Sequence, residues 1–435
     1  MVPQETRREF VKSTVASAII GLGVWSETTA AASTSPSQKL SIGAIGVGNR
    51  GVDNITASSN ENIVALCDVD QRYLNEMSEF YPRADKFHDF REMLEQTDLD
   101  AVLISTPDHT HFHAAMMAMR KRLHVYVEKP LAHSIEECRI LAKTALELKV
   151  VTQMGNQHHS SAGYRRVVEL VQSGTIGDVR EVHSWTTRPL WSQGVDRPKE
   201  QRAVPKELNW DLWLGPARER PYHPAYHPRT WRGWWDFGCG ALGDMGPHLI
   251  DPAFWALKLD SPISIEAESS SVNDESAPEW SIVRFEFPKR GNLPPVKLTW
   301  YDGGKQPPEE ITSAKRPPAN GTLIIGSRAK VFAPELGARP IVVSNDKSDK
   351  IEQPESSIPV PTGHQDEWLR ACKGEGKTGS DFTYASKLTE LCLLGNIAIR
   401  CGQRIEWDSQ AMKVLHCQRA NELLSREYRS GWNDV

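Results

Sequence analysis

No Cys-x-x-Cys pair occurs in this 435-residue chain, whose 7 cysteines are scattered from Cys67 to Cys417; that spacing excludes a disulfide scaffold and a zinc ribbon. Nor is there an excess of one charge. Lys plus Arg number 51 against 56 Asp plus Glu, a net charge of -5, so no global field recruits nucleic acid or an anionic membrane. After the N-terminal segment no apolar run reaches about 18 residues, the length a membrane-spanning helix needs. A composition of 39% hydrophobic and 25% charged residues, with 30 Gly and 28 Pro, excludes a disordered, collagen-like or coiled-coil chain. What remains is a globular chain long enough for two or three domains.

What is present begins with an address. Residues 6–12 read Thr-Arg-Arg-Glu-Phe-Val-Lys, a hydrophobic run follows from Val15 to Trp25, and Ala30-Ala31-Ala32 supplies an A-x-A cleavage site. The order predicts a twin-arginine signal peptide over 1–32, a linker over 33–39, and export of the folded protein to the periplasm. No membrane contact is expected after processing.

From Leu40 to Met154 short apolar runs alternate with amphipathic stretches. Strands are expected at Leu40–Val47, Asn62–Cys67, Ala101–Ser105, His124–Val127 and Val150–Met154, with helices at Gln71–Phe80, His109–Met119 and Ile135–Leu148 between them. That alternation predicts an α/β fold with a parallel, doubly wound sheet. Beyond a helix at Ala162–Val171, a Trp/Pro/His-rich stretch over 185–235 reads as a long irregular excursion. Strand patterns follow at Ile263–Val272, Trp280–Phe287, Val296–Tyr301 and Thr322–Phe332 without intervening helices, as in a largely antiparallel second sheet. Helices at His364–Ala371 and Leu388–Arg400 close the chain. The expected domains are 40–157 and 158–435, with the helix near 364–371 packing back on the first.

Gly46-Val47-Gly48-Asn49-Arg50-Gly51 fits G-x-G-x-x-G between a strand and a helix. Gly46 permits the tight turn, Gly48 the approach of a pyrophosphate, and Gly51 close helix–strand packing. Asp68 ends the second strand, where an acid accepts hydrogen bonds from an adenosine ribose. Its charge would repel a 2′-phosphate, so NAD is favoured over NADP, with Arg50 the one residue that contests this.

Two further strand ends carry chemistry. Ser105-Thr106-Pro107-Asp108-His109 and Glu128-Lys129-Pro130 both fall at the carboxyl edge, where open α/β sheets hold ligands. In Gly243-Asp244-Met245-Gly246-Pro247-His248, Asp244 and His248 are four apart and share a helix face if Pro247 sits in the first helical turn. Removing a hydride from a carbinol requires its hydroxyl proton to leave. His248 is a natural base for that proton, Lys129 can share or relay it, and Asp244 can orient either. Trp231, Trp234 and Trp235 are candidates to stack on sugar faces or to form a packing cluster. His109, His111 and His113 open an amphipathic helix with no carboxylate at ligand spacing, so no metal is expected.

These motifs together resemble the Gfo/Idh/MocA oxidoreductases, named for glucose–fructose oxidoreductase, inositol dehydrogenase and a rhizopine-catabolism protein. Trp210-Asp211-Leu212-Trp213-Leu214-Gly215-Pro216 and Trp231-Arg232-Gly233-Trp234-Trp235-Asp236-Phe237 resemble its exported, tryptophan-rich branch. The resemblance implies Lys129, Asp244 and His248 as catalytic residues. It implies Gly46, Gly48, Asn49, Arg50, Gly51, Asp68, Ser105, Thr106, Pro107, His109, Glu128 and Asn156 around NAD, and Tyr164, Trp231, Trp234, Trp235 and Tyr301 toward substrate. It further implies a homo-oligomer built through an open mixed sheet in the second domain.

Three readings follow. The first is an NAD-dependent oxidoreductase acting on a sugar or polyol with a tightly held cofactor. The second is a redox-neutral glycosidase or lyase, in which oxidation, elimination and re-reduction occur on a glycoside. The third, a non-catalytic NAD-binding protein, is disfavoured by the retained Lys129, Asp244 and His248. Export favours a cofactor that need not exchange. The family's N-acetylgalactosaminidases place their histidine in a Thr-His-Gly stretch, and Gly246-Pro247-His248 departs from it. The oxidoreductase is therefore the first expectation.

Overall fold

The computed structural model describes residues 39–312, 317–346, 348 and 350–433. The twin-arginine segment, its cleavage site and the linker up to residue 38 lie outside the described residues.

Six short strands form the first sheet: β1 (Ser41–Ile45), β2 (Asn62–Cys67), β3 (Asp85–Phe87), β4 (Ala101–Ile104), β5 (His124–Glu128) and β6 (Thr152–Gly155). They run parallel in the order β3-β2-β1-β4-β5-β6. Ala101–Ile104 is buried throughout, as a strand covered on both faces must be. The crossover helices start at readable caps. Asp70 and Asp89 accept the backbone N–H groups of Arg72 and Arg91, and Ser134 with Glu137 forms a reciprocal capping box for Ile135–Leu148. Strand order reverses between β1 and β4, which opens a crevice at the carboxyl ends of β1, β4 and β5.

The second sheet holds nine strands: β7 (Val179–Thr186), β8 (Ser264–Ser269), β9 (Ser281–Phe287), β10 (Val296–Tyr301), β11 (Asn320–Gly326), β12 (Ala329–Pro334), β13 (Ile341–Ser344), β14 (Ile405–Asp408) and β15 (Lys413–Leu415). Their order is β13-β12-β11-β7-β10-β9-β8-β14-β15; β7 and β10 pair in parallel and the other neighbours antiparallel. Val283, Phe285 and Phe287 of β9 point inward under the 20-residue helix Phe382–Cys401. That helix also packs on Ile135–Leu148, so the apolar cores of the two sheets are continuous. No helix among the described residues is long and apolar enough to cross a membrane.

Three expectations change. Thr322–Phe332 is a hairpin, β11 and β12, turned at Ser327-Arg328. The excursion is shorter than expected because β7 extends to Thr186. Pro247 lies in the last turn of a helix that starts at Gly240, and Pro252 opens a second short helix, Asp251–Ala256. The helix His364–Cys372 does return to the first sheet: Gln153 Nε2 donates to the His364 carbonyl at 2.7 Å, and Trp368 meets Tyr126 edge-on at 5.7 Å.

Candidate active site

The turn after β1 is held by close contacts that only glycine allows. Gly46 takes φ +79°, and a Cβ on Gly51 would lie 2.0 Å from the Gly46 carbonyl oxygen. A Cβ on Gly48 would meet the Tyr73 ring at 2.6 Å. Asn49 starts the helix Arg50–Ala57 without a side-chain cap, leaving a helix N-terminus open to an anion. Beside the turn, Asp68 accepts the N–H groups of Val47 and Asp70, both at 2.9 Å. Burial pushes its carboxyl up to about 6 against those hydrogen bonds. A bare, glycine-built turn with an acid at the next strand end fits an NAD adenosine and pyrophosphate. Arg50 is engaged by Asp53 at 3.0 Å and lies 4.0 Å from Glu128.

This turn is one end of a cavity of about 690 Å³ that runs across the carboxyl edge of the first sheet to the second. Ser105, Thr106, Pro107 and Asp108 line it from the end of β4, and Glu128 and Lys129 from the end of β5. Glu128 is locked: its Oε1 accepts from Asn54 Nδ2 at 2.9 Å and Gln157 Nε2 at 2.6 Å. That leaves Lys129 as the group β5 projects into the cleft.

Across from it the helix Gly240–Leu249 presents Asp244 and, one turn later, His248. Lys129 Nζ donates to Asp244 Oδ1 at 2.7 Å, and Arg232 Nε reaches the same oxygen at 3.3 Å. Burial pushes the Asp244 carboxyl up, but Lys129 and Arg232 outweigh it and hold the group well below the ordinary carboxylate range. His248 is 8% exposed and its Nδ1 has no partner. Burial, reinforced by Lys129 and by His158, lowers it well below the usual histidine range, so it stands neutral. The His158 ring lies 5.3 Å from it.

The cleft thus brings together Gly46, Gly48, Asn49, Arg50, Asp68, Ser105, Thr106, Pro107, Glu128, Lys129, Trp231, Asp244 and His248. Gly51 supports the turn from behind. Six further residues expected at the site do not line the cleft either. His109 is fully buried between the carbonyls of Phe237 (3.3 Å) and Trp213 (3.0 Å), so it joins the excursion to the first sheet. Asn156 is fully buried beyond β6, with neither side-chain polar atom partnered. Tyr164 packs edge-on to His158 at 6.1 Å. Trp234 donates to the Ala225 carbonyl at 2.7 Å inside the aromatic core of the excursion. Trp235 lies under Arg400, and Tyr301 pairs with His183 at 3.0 Å on the second sheet. Aromatic residues at these positions build core because their large apolar rings gain more by packing than by exposure. His111 and His113 are also core residues, bonded to the carbonyls of Pro130 and Trp432, and no metal-holding cluster occurs among the described residues.

Sequence reasoning missed Asp108, Arg188, Trp191 and Arg232 as lining residues. Asp108 is 5% exposed and accepts the Cys239 N–H at 3.1 Å; burial pushes its carboxyl up to about 7 against the pull of Lys129 and Arg232. Arg232 stacks over Trp231 at 4.3 Å, a contact that the adjacent Trp-Arg pair in the sequence could have signalled.

Residues 40–156 match a family model described as an oxidoreductase-family NAD-binding Rossmann fold, and 162–293 match the C-terminal alpha/beta domain of the same family. A glycosyl hydrolase family 109 protein of Shewanella woodyi is 32% identical over 158 residues, 33% of this chain and 34% of that protein. The D-glucoside 3-dehydrogenase of Escherichia coli is 25% identical over 238 residues, 54% of this chain and 58% of that protein. The chain therefore spans less than two thirds of the length of these curated relatives. Among solved structures, the WlbA dehydrogenase of Bordetella pertussis, in complex with NADH and UDP-GlcNAcA, superposes with a TM-score of 0.61 at 18% identity, covering 85% of this chain and 99% of that one. That likeness shows a shared fold.

Proposed function

The chain belongs to the Gfo/Idh/MocA oxidoreductases, and from that premise we propose that it oxidises a hydroxyl of a carbohydrate or polyol, using a tightly held NAD. The observation that carries this is the Lys129–Asp244 contact of 2.7 Å with His248 one helical turn on, set at the edge of the dinucleotide crevice. The turn Gly46–Gly51 would hold the pyrophosphate and Asp68 the adenosine ribose. When bound, NAD supplies the hydride acceptor.

The remaining work falls to this chain's side chains. Lys129 Nζ, fixed by Asp244, donates to the substrate hydroxyl oxygen and aligns it. Neutral His248 accepts the hydroxyl proton as the carbonyl forms. Asp244 keeps Lys129 and Arg232 in place and screens the proton on His248. Export by the Arg7-Arg8 signal and assembly through the second sheet belong to the same proposal.

Anaerobic mixing with a panel of aldoses, polyols and glycosides tests it, read by the absorbance of reduced nicotinamide. At least one carbinol substrate is expected to reduce the bound dinucleotide. No reduction with any of them would overturn the reading.

A further inference from the structure

Resting on that reading, we propose that the sugar or polyol oxidised here is an acid, and that Arg188 holds its carboxylate. Arg188 lies two residues beyond β7. Its N–H donates to Thr186 Oγ1 at 3.1 Å, and its carbonyl accepts from Gly303 N at 2.7 Å, so its backbone is fixed on both sides. The residue lines the cleft and is half-buried, yet no carboxylate, carbonyl or aromatic ring among the described residues partners its guanidinium. The other cleft arginines differ. Arg50 has Asp53, and Arg232 has Asp244 and the Trp231 ring. Arg229 is exposed and reaches Asn49 at 3.5 Å. A positive group partly withdrawn from water with no counter-charge is a site prepared for an anion.

Its place on the wall indicates which anion. Thr186 pairs across the sheet with Asn320, whose Nδ2 donates to Glu335 at 2.6 Å, and Glu335 lines the cleft. Arg188 therefore belongs to the second-sheet wall, whereas the glycine turn and Asp68 belong to the first sheet. The anion is on the substrate rather than on the dinucleotide. At the reacting end Lys129 and Arg232 are matched by Asp244 and the buried Asp108, so the cation without a counter-charge is Arg188. A guanidinium matches a planar carboxylate with two parallel hydrogen bonds. Trp191 also lines the cleft, while the Trp231 ring carries Arg232 at 4.3 Å. The carboxylate takes no part in the redox step.

The test uses the full chain saturated with NAD. Binding of methyl hexuronides, aldonates, the matching neutral glycosides and polyols, and hexose 6-phosphates is measured by calorimetry, with nicotinamide reduction followed in parallel. An acid is expected to bind about tenfold or more tighter than its neutral partner, the usual size of a charge-assisted contact, and added salt should narrow the gap. Arg188→Gln should abolish the preference without changing NAD affinity, and Arg188→Lys should restore part of it. Equal binding of neutral and acidic partners across the panel would overturn the inference, as would a preference that survives Arg188→Gln. Tighter binding of the 6-phosphates would overturn the carboxylate assignment. Nicotinamide reduced only by neutral sugars would leave the oxidoreductase reading standing without this one. Acids bound through Arg188 with no reduction would do the reverse.

Discussion

Asp68 and Asp108 are cleft carboxyls that burial raises to about 6 and about 7, and each makes a separate prediction. Asp68 rises to about 6 in the free protein. Ribose hydroxyls donate best to the ionised form, so NAD affinity should be constant above that value. It should fall as pH drops through it, by roughly tenfold per unit once well below. Calorimetric titration of NAD from acid to neutral pH measures this; a flat profile, or one unchanged by Asp68→Asn, would refute it. Asp108 rises to about 7, above its unfolded value, so folding takes up a proton there. Its contribution to stability is full at low pH and is lost as pH rises through about 7. Asp108→Asn keeps an oxygen for the Cys239 N–H, and its melting temperature should gain on the parent as pH moves from acid to mildly alkaline. A gap constant with pH would contradict that. Asp68, Asp244 and His248 were legible because their spacing is local. Asp108 was not, because its surroundings come from Cys239, Lys129, Arg232 and Asp244, distant in sequence.

At the scale of elements, the dinucleotide turn is a packing problem with one tolerated residue. Gly51→Ala would set a Cβ 2.0 Å from the Gly46 carbonyl oxygen. The turn must open to relieve it, at the cost of about 1–3 kcal/mol typical of overpacking. NAD affinity should fall by about tenfold or more, while a variant with unaltered affinity would mean that the turn does not hold the cofactor. Strands with clean apolar runs, such as Ala101–Ile104, read directly from the sequence. β7 did not, because its buried positions include Ser184 and Thr186. Their hydroxyls are satisfied across the sheet by Thr322 at 3.0 Å and by Asn320, partners no local pattern reveals. The β11–β12 hairpin was read as one strand because only Gly326 marks its turn. Trp231, Trp234 and Trp235 were read as either sugar-stacking faces or a packing cluster, and Trp231 and Trp234 join Trp213 and Phe237 in a core of their own. An aromatic cluster looks the same in sequence whether it packs inward or faces a ligand.

For the molecule as a whole, the excursion crosses from the second sheet to the rim of the dinucleotide crevice and is fastened there. Gln71 N donates to the Glu207 carbonyl at 2.8 Å, Asn209 N to the Val69 carbonyl at 2.9 Å, and His227 Nε2 approaches Asp70 at 3.4 Å, all beside Asp68. A segment tied down beside Asp68 should slow cofactor release. Denaturing the purified protein should therefore yield close to one NAD or NADH per chain, and a cofactor-free preparation would contradict this. The central claim is hydride removal from a carbinol carbon at the Lys129–Asp244–His248 end of the cleft. It is tested most directly with sugars, polyols and their acids carrying deuterium on carbon, incubated anaerobically with the NAD-loaded protein. The recovered dinucleotide is then examined by mass spectrometry. Deuterium is expected in the nicotinamide, and Lys129→Met and His248→Ala should slow its appearance by about a hundredfold or more with dinucleotide content unchanged. A dinucleotide free of label with every compound, or labelled equally fast in both variants, would contradict the account.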